Sequence, residues 1–105
     1  MAPEPTIVDA LVQWMRSEFP NGTVEGRALA NQQREDVVLF RARDEKAPAP
    51  AKELEISFEA FEDYSPEAII ADLKHLRVAD ALRAAPQTRL MYRRDRRIIA
   101  VPYHS

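Results

Sequence analysis

Cysteine is absent from this chain of 105 residues, which excludes a disulfide, a thiolate metal site and a cysteine nucleophile. A chain without cysteine also fits a reducing compartment. The N-terminal segment has no basic stretch followed by a long apolar run, so we expect neither a signal peptide nor a membrane-spanning segment. The expected location is therefore the cytoplasm.

Glycine and net charge are also scarce. Two glycines leave no glycine-rich loop to cradle a phosphate, and a formal net charge of −2 gives no overall attraction to nucleic acid or membrane. No serine lies in a nucleophile elbow, and neither His75 nor His104 has a carboxylate pair at metal-ligand spacing. We therefore expect no enzyme activity, no metal and no cofactor.

The sequence does contain a strand pattern followed by a capped helix within residues 53–82. Apolar and polar side chains alternate over residues 54–60, which predicts a half-buried strand with a solvated acidic side. Ser65 is a suitable N-cap, and Pro66 suits the first helical position. The helix that follows carries an apolar stripe of Ile69, Leu73, Leu76, Ala79 and Leu82.

The rest of the chain supplies an earlier helix and further strands. Apolar residues at helical spacing predict a helix that follows a cap at Thr6 and ends before Pro20. Residues 36–43 predict a strand, whereas residues 23–30 stay ambiguous between strand and loop. Residues 88–92 and 98–101 predict a C-terminal β-hairpin.

These elements predict the α+β class: a four- or five-stranded, mostly antiparallel sheet with two helices on one face and a C-terminal β-hairpin. The length suits one core. We expect residues 1–5 to form a flexible N-terminal arm and residues 6–105 to form a single α+β domain. A loop at 44–52, which contains two prolines among alanine and charged residues, is expected to be mobile.

The sharpest charge asymmetry lies in the predicted hairpin, where five arginines fall within residues 89–97 and only Asp95 offsets them locally. Guanidinium groups bind phosphate and carboxylate oxygens through paired hydrogen bonds, so this cluster suits either nucleic acid or an acidic protein surface. The net charge favours the protein. The predicted partner-binding residues are Arg89, Arg93, Arg94, Arg96 and Arg97.

Residues 53–83 resemble part of the small sheath subunit of the type VI secretion system. The matching residues are Ile56-Ser57-Phe58, Phe61-Glu62-Asp63-Tyr64-Ser65-Pro66-Glu67, Leu73, Leu76 and Ala81-Leu82-Arg83. The region before residue 53 and the hairpin after Pro86 have no counterpart in that family. The resemblance implies a non-enzymatic structural role in which strands and helices pack against partner subunits, and it implies no catalytic residue.

We therefore expect a small bacterial protein-interaction or assembly component that binds another protein or itself, with a contractile secretion or phage-tail-like machine as one setting. An exposed strand edge and the arginine-rich hairpin are the expected contact elements. One alternative is a nucleic-acid-binding or regulatory domain that uses the same hairpin. Another is a chaperone-like adaptor for secretion, by analogy of fold. No membrane association is expected.

Overall fold

A computed structural model describes residues 2–29, 36–44, 46, 51–84 and 89–101. Within these ranges the chain forms four helices and five strands, and its fold class is α+β, as predicted. The elements are α1 (Pro5–Glu18), β1 (Gly22–Leu29), β2 (Val37–Asp44), β3 (Lys52–Ser57), α2 (Phe58–Asp63), α3 (Pro66–His75), α4 (Val78–Ala84), β4 (Arg89–Tyr92) and β5 (Ile98–Val101). No helix in the described ranges is both long enough and apolar enough to span a membrane.

The five strands of the described chain form one sheet in the order β1-β2-β3-β4-β5. Neighbours are antiparallel except for β3 and β4, which are parallel. A parallel pair needs a crossover connection, and α2, α3 and α4 lie in the segment that joins β3 to β4. The sheet is therefore mixed, with a three-stranded meander on one side of the parallel pair and the predicted C-terminal hairpin on the other.

One face of the sheet packs against helices, and we call it the helix face. Phe40, Leu54 and Leu90 lie in register across β2, β3 and β4, and all three belong to the core cluster that contains Leu11 and Met15 of α1. Side chains alternate between faces along a strand, so their neighbours in sequence point to the opposite side, which we call the second face. From α3 and α4 the same core cluster receives Ile69, Leu73, Val78, Ala79 and Leu82.

Four helices in the described chain replace the two that the sequence predicted. The predicted strand over residues 54–60 ends at Ser57, whose hydroxyl accepts a hydrogen bond from the Ala60 N–H at 3.2 Å and caps α2. The helix predicted after Ser65 has its expected cap, but it breaks at Leu76 and Arg77, where Arg77 takes a φ of 54°. Leu76 was predicted on the buried stripe and is instead 42% exposed.

The structure also resolves the boundaries near the N-terminus. Helix α1 begins with Pro5 after an N-cap at Glu4 that makes no side-chain capping bond, so Thr6 lies inside the helix and is not its cap. The ambiguous residues 23–30 belong to β1 up to Leu29. The loop predicted to be mobile, 44–52, falls mostly outside the described residues, at 45 and 47–50.

The break after α3 gives a matched pair of leucines for a stability test. Leu73 is 0% exposed and Leu76 is 42% exposed. Leu73→Ala leaves a cavity in the core and should lower the free energy of unfolding by about 2–5 kcal/mol. Leu76→Ala should change it by less than about 0.5 kcal/mol. Urea unfolding followed by circular dichroism measures both, and equal losses would mean that α3 continues unbroken past residue 76.

Candidate functional site

Arg89 lies apart from the other four arginines predicted to bind a partner. It is in β4 on the second face of the sheet and is only 5% exposed. Its guanidinium donates to Glu53 Oε1 from Nη2 at 2.9 Å and to Glu55 Oε2 from Nη1 at 3.1 Å. Arg89 therefore ties β4 to two carboxylates of β3, which places its charge inside the protein.

The acidic side of β3 was predicted to be solvated, and the structure corrects this. Glu53 is 0% exposed and Glu55 is 2% exposed. The second carboxylate oxygen of Glu53 accepts hydrogen bonds from Arg41 Nε at 2.9 Å and Nη2 at 2.8 Å. Buried carboxylates are tolerated because arginines from both neighbouring strands supply charge and hydrogen bonds, and sequence alternation alone does not reveal those neighbours.

The hairpin between β4 and β5 turns through residues 93–97 without a glycine. The N–H of Arg96 donates to the carbonyl of Arg93 at 2.9 Å, and the N–H of Arg93 donates to the carbonyl of Arg97 at 3.2 Å. This pattern matches a type I turn followed by a G1 bulge. Arg96 occupies the position where glycine is usual and has a φ of 63°. Its backbone is therefore strained.

Asp72 of α3 holds Arg96 in place. Arg96 donates to the two carboxylate oxygens of Asp72 from Nε at 2.8 Å and Nη2 at 2.7 Å. Tyr92 O–H donates to the same carboxylate at 2.5 Å. The hydrogen bond from Arg96 lowers the pKa of Asp72, and burial raises the pKa of Tyr92. Asp72 is therefore ionised and Tyr92 protonated at neutral pH, which preserves both contacts.

Arg94 at the tip of the hairpin is held by α2. Its side chain contacts Glu59 Oε2 from Nη1 at 3.2 Å and Asp63 Oδ2 from Nε at 2.6 Å. The hydrogen bond with Glu59 and the charge of Asp63 both raise the pKa of Arg94. Tyr64 O–H donates to the carbonyl of Arg94 at 2.6 Å, and the Arg96 guanidinium lies 5.5 Å from the centre of the Tyr64 ring. The tip is thus fixed to α2 and to Tyr64, the residue that follows α2.

The five arginines predicted to bind a partner therefore fall into two groups, a buried Arg89 and four exposed residues of the hairpin turn. Arg94 and Arg96 are exposed, with 62% and 56% of their side-chain surface accessible, yet both contact carboxylates of the chain itself. Arg93 and Arg97 are exposed and face each other across the mouth of the hairpin. These four lie within the turn of residues 93–97 that joins β4 to β5, which we call the arginine hairpin.

Strand β5 adjoins the arginine hairpin and forms one edge of the sheet. Its sequence is entirely apolar, and Ile99 is 37% exposed. Edge strands usually carry charges that discourage pairing with other chains. The opposite edge, β1, has exposed Glu25 and Arg27, whereas β5 has no such charge. Sequence reasoning expected an exposed strand edge, and Pro102 indicated that the last strand either ends there or lies at an edge.

The register of the hairpin shows which backbone groups of β5 point outwards. Hydrogen-bonded and non-hydrogen-bonded pairs alternate along an antiparallel ladder. Arg93 and Arg97 form a hydrogen-bonded pair, so Met91 and Ile99 form the next such pair. The N–H and C=O groups of Ile98 and Ala100 therefore face the open edge, where an added strand can bond to them.

A cleft of about 220 Å³ at the C-terminal end of α1 is another place where a ligand could bind. The ring of Phe19 lies 5.8 Å from Lys52 Nζ and 5.0 Å from Arg83 Cζ. Arg83 donates to the Glu18 carbonyl at 2.7 Å and to its carboxylate at 3.1 Å, which satisfies the end of α1. The volume is below the roughly 300–1,000 Å³ of typical small-molecule sites.

Metal binding has no support in the described part of the chain. There, no group of three or more His, Cys, Asp or Glu side chains is arranged to hold a metal ion. His75 is exposed at the end of α3, and His104 lies outside the described residues.

Arg89 is expected to stabilise the fold through its buried ion pairs with Glu53 and Glu55. Arg89→Ala leaves Glu53 and Glu55 buried without their shared partner, so the free energy of unfolding should fall by about 3–5 kcal/mol. The matched control is Arg27→Ala, which removes an exposed arginine from the edge strand β1 and should change the free energy of unfolding by less than about 0.5 kcal/mol. Denaturant titration compares the variants. A loss as small as that of the control would show that water reaches the two glutamates.

Substitutions at Arg96 separate its side-chain contact from its backbone strain. Arg96→Ala and Arg96→Gly both remove the hydrogen bonds to Asp72, but glycine adopts a positive φ without strain. Arg96→Gly should therefore melt roughly 4–8 °C above Arg96→Ala. Thermal unfolding at neutral pH measures the difference. Identical melting temperatures would mean that residue 96 does not hold a positive φ in solution.

Comparison with protein-family models, curated proteins and solved structures found no match to this chain. The resemblance of residues 53–83 to the small sheath subunit of the type VI secretion system stays a prediction. The physical grounds for a function are therefore the uncharged edge of β5 and the arginine hairpin beside it.

Proposed function

We propose that this protein is a non-enzymatic interaction or assembly component that binds another protein by adding a strand of that protein to the edge of β5. The observation that carries the proposal is the exposed, uncharged edge strand with outward backbone groups at Ile98 and Ala100. In strand addition, backbone hydrogen bonds supply affinity and alternate side-chain contacts supply specificity. The arginine hairpin provides charge contacts at one end of this edge.

The charge balance of the arginine hairpin favours a protein partner over nucleic acid. Arg94 and Arg96 already contact carboxylates of α2 and α3, so part of the hairpin's charge is offset within the chain. Binding to a phosphate backbone depends on cations that replace condensed counterions, and neighbouring carboxylates oppose it. Arg97 is exposed and directly precedes β5, so we expect it to pair with an acidic side chain on an added strand.

The proposed setting is the bacterial cytoplasm, in association with a contractile secretion or phage-tail-like machine. The sequence resemblance is one support. The other is that the resembling segment performs a structural task beside the proposed contact, because Glu59, Asp63 and Tyr64 all bind the hairpin. Residues of that segment therefore help to position the binding surface.

Ala100→Pro tests strand addition. Proline removes an outward N–H, and at an edge it leaves the hydrogen bonds between β4 and β5 in place. The partner captured from the native host by the parent protein is identified by mass spectrometry, purified and titrated by calorimetry. Ala100→Pro should weaken its affinity roughly tenfold or more, because a buried carbonyl of the partner loses its donor.

Ala100→Ser is the matched control, since it keeps the N–H and should bind like the parent. Ile99→Lys is a second variant that places a charge on the edge and should also weaken binding. Circular dichroism confirms that each variant is folded. Undiminished binding by both Ala100→Pro and Ile99→Lys would exclude the β5 edge. Tight, salt-sensitive binding of duplex or single-stranded oligonucleotides by the parent would instead support the nucleic-acid alternative.

A further inference from the structure

The side chains of β5 alternate between the two faces of the sheet, so a strand added at its edge meets two separate rows of them. In the register with β4, Ile99 lies beside Met91 and Val101 lies beside Arg89. Since Arg89 points to the second face, Ile99 and Val101 point there as well. Ile99 is exposed and Val101 is half-buried. On its second face, the edge therefore presents two apolar side chains to a partner.

Arg97 extends this row towards the hairpin turn. Its carbonyl accepts a hydrogen bond from the N–H of Arg93 at 3.2 Å, and it lies two residues before Ile99, so strand alternation places its side chain on the second face. Arg97 is exposed, and its guanidinium makes no ion pair within the described residues. The carboxylate of Asp95 instead accepts a hydrogen bond from the backbone N–H of Arg97, at 3.1 Å. We call Arg97, Ile99 and Val101 the edge row.

The outward backbone groups of β5 favour an antiparallel partner strand. In that arrangement Ile98 and Ala100 form the hydrogen-bonded pairs with the added strand, and the edge row falls at the non-hydrogen-bonded positions. Side chains are closest in non-hydrogen-bonded pairs, where the Cα atoms are about 4.5 Å apart, and parallel pairing is slightly less stable. An antiparallel strand therefore places one of its side chains directly against each member of the edge row.

We propose that the strand added at β5 is an antiparallel protein segment with the pattern apolar-x-apolar-x-acidic, an inference that rests on the proposed function. Read from the N-terminal end of that segment, its first apolar side chain faces Val101, its second faces Ile99 and its carboxylate faces Arg97. Apolar contacts with β-branched residues and pairs of opposite charge both stabilise neighbouring strands. The guanidinium of Arg97 also suits the two oxygens of a carboxylate.

A second copy of this chain does not fit the edge row as well. When two copies of β5 pair antiparallel with their Ile99 residues opposite each other, Val101 of one copy lies opposite Arg97 of the other. The sequence of β5 contains no acidic residue, so this pairing offers the guanidinium no carboxylate. The partner strand is therefore expected to come from a protein of different sequence.

Selection from a displayed library of random peptides on the immobilised full-length protein tests this pattern. Peptides that also bind Ala100→Pro are discarded, so the remaining peptides depend on the outward N–H of residue 100. These should share two alternating apolar positions followed, after one residue, by Asp or Glu. A shared pattern with the acidic residue before the apolar positions, or without one, would overturn the inference and leave strand addition standing. Recovery of no peptide that depends on this N–H would contradict the proposed function itself.

Sedimentation of the purified protein without peptide tests the second copy as the occupant. A monomer is expected. A dimer that Ile99→Lys dissociates would overturn the inference, because β5 would then pair with itself.

Arg97→Glu tests which residue recognises the acidic position. A synthetic peptide of the selected pattern and a copy with lysine in place of its acidic residue are each titrated by calorimetry. Arg97→Glu should weaken the acidic peptide roughly threefold to tenfold and strengthen the lysine peptide, because like charges opposite each other on neighbouring strands are destabilising. Arg27→Glu is the matched control, since it makes the same charge change on the exposed edge strand β1. A peptide preference that Arg97→Glu leaves unchanged, or that Arg27→Glu alters equally, would overturn the role given to Arg97.

Discussion

The parallel pairing of β3 with β4 is the constraint on which the rest of the structure depends. It joins the three-stranded meander to the C-terminal hairpin across a segment that contains three helices. On the helix face, Leu54 lies beside Leu90 under the helices. On the second face, Arg89 binds Glu53 and Glu55. Apolar packing and a buried ion network thus fix the same strand pair from opposite sides, and β5 becomes an edge because β4 is held there.

A fixed hairpin suits a binding role for an energetic reason. Ordering a flexible loop on association reduces affinity, and a loop that is already ordered avoids that loss. Here Asp72 and Asp63 hold the guanidinium groups of Arg96 and Arg94, and Tyr64 bonds to the hairpin backbone. Individual exposed ion pairs contribute little to stability, but a network that shares one hairpin restricts its motion. The edge of β5 is therefore presented next to a surface of defined shape and charge.

Local chemistry made much of the fold predictable from sequence. Ser65 and Pro66 signalled the start of a helix, and the spacing of apolar residues signalled α1. Glu55 shows the limit of prediction from local patterns. The alternation of apolar and polar residues places Glu55 on the side of β3 away from the core, but it does not reveal the hydrogen bond with Arg89, 34 residues away. The helix break at Arg77 could not be predicted either, because no glycine or proline lies there in the sequence. Of the predicted site, four arginines lie together, while the separation of Arg89 depends on strand order, which local patterns do not encode.

Helix α3 directs two nearby side chains of opposite charge to different parts of the fold. Asp72 and Lys74 are two residues apart, and side chains with that spacing do not meet on a helix. Asp72 therefore binds Arg96 and Tyr92 of the hairpin, while Lys74 lies with Trp14 and Glu18 of α1 around a separate cavity. The two arginines with a positive φ differ in the same way, because Asp72 holds Arg96 in its turn, whereas Arg77 is exposed at the break between α3 and α4.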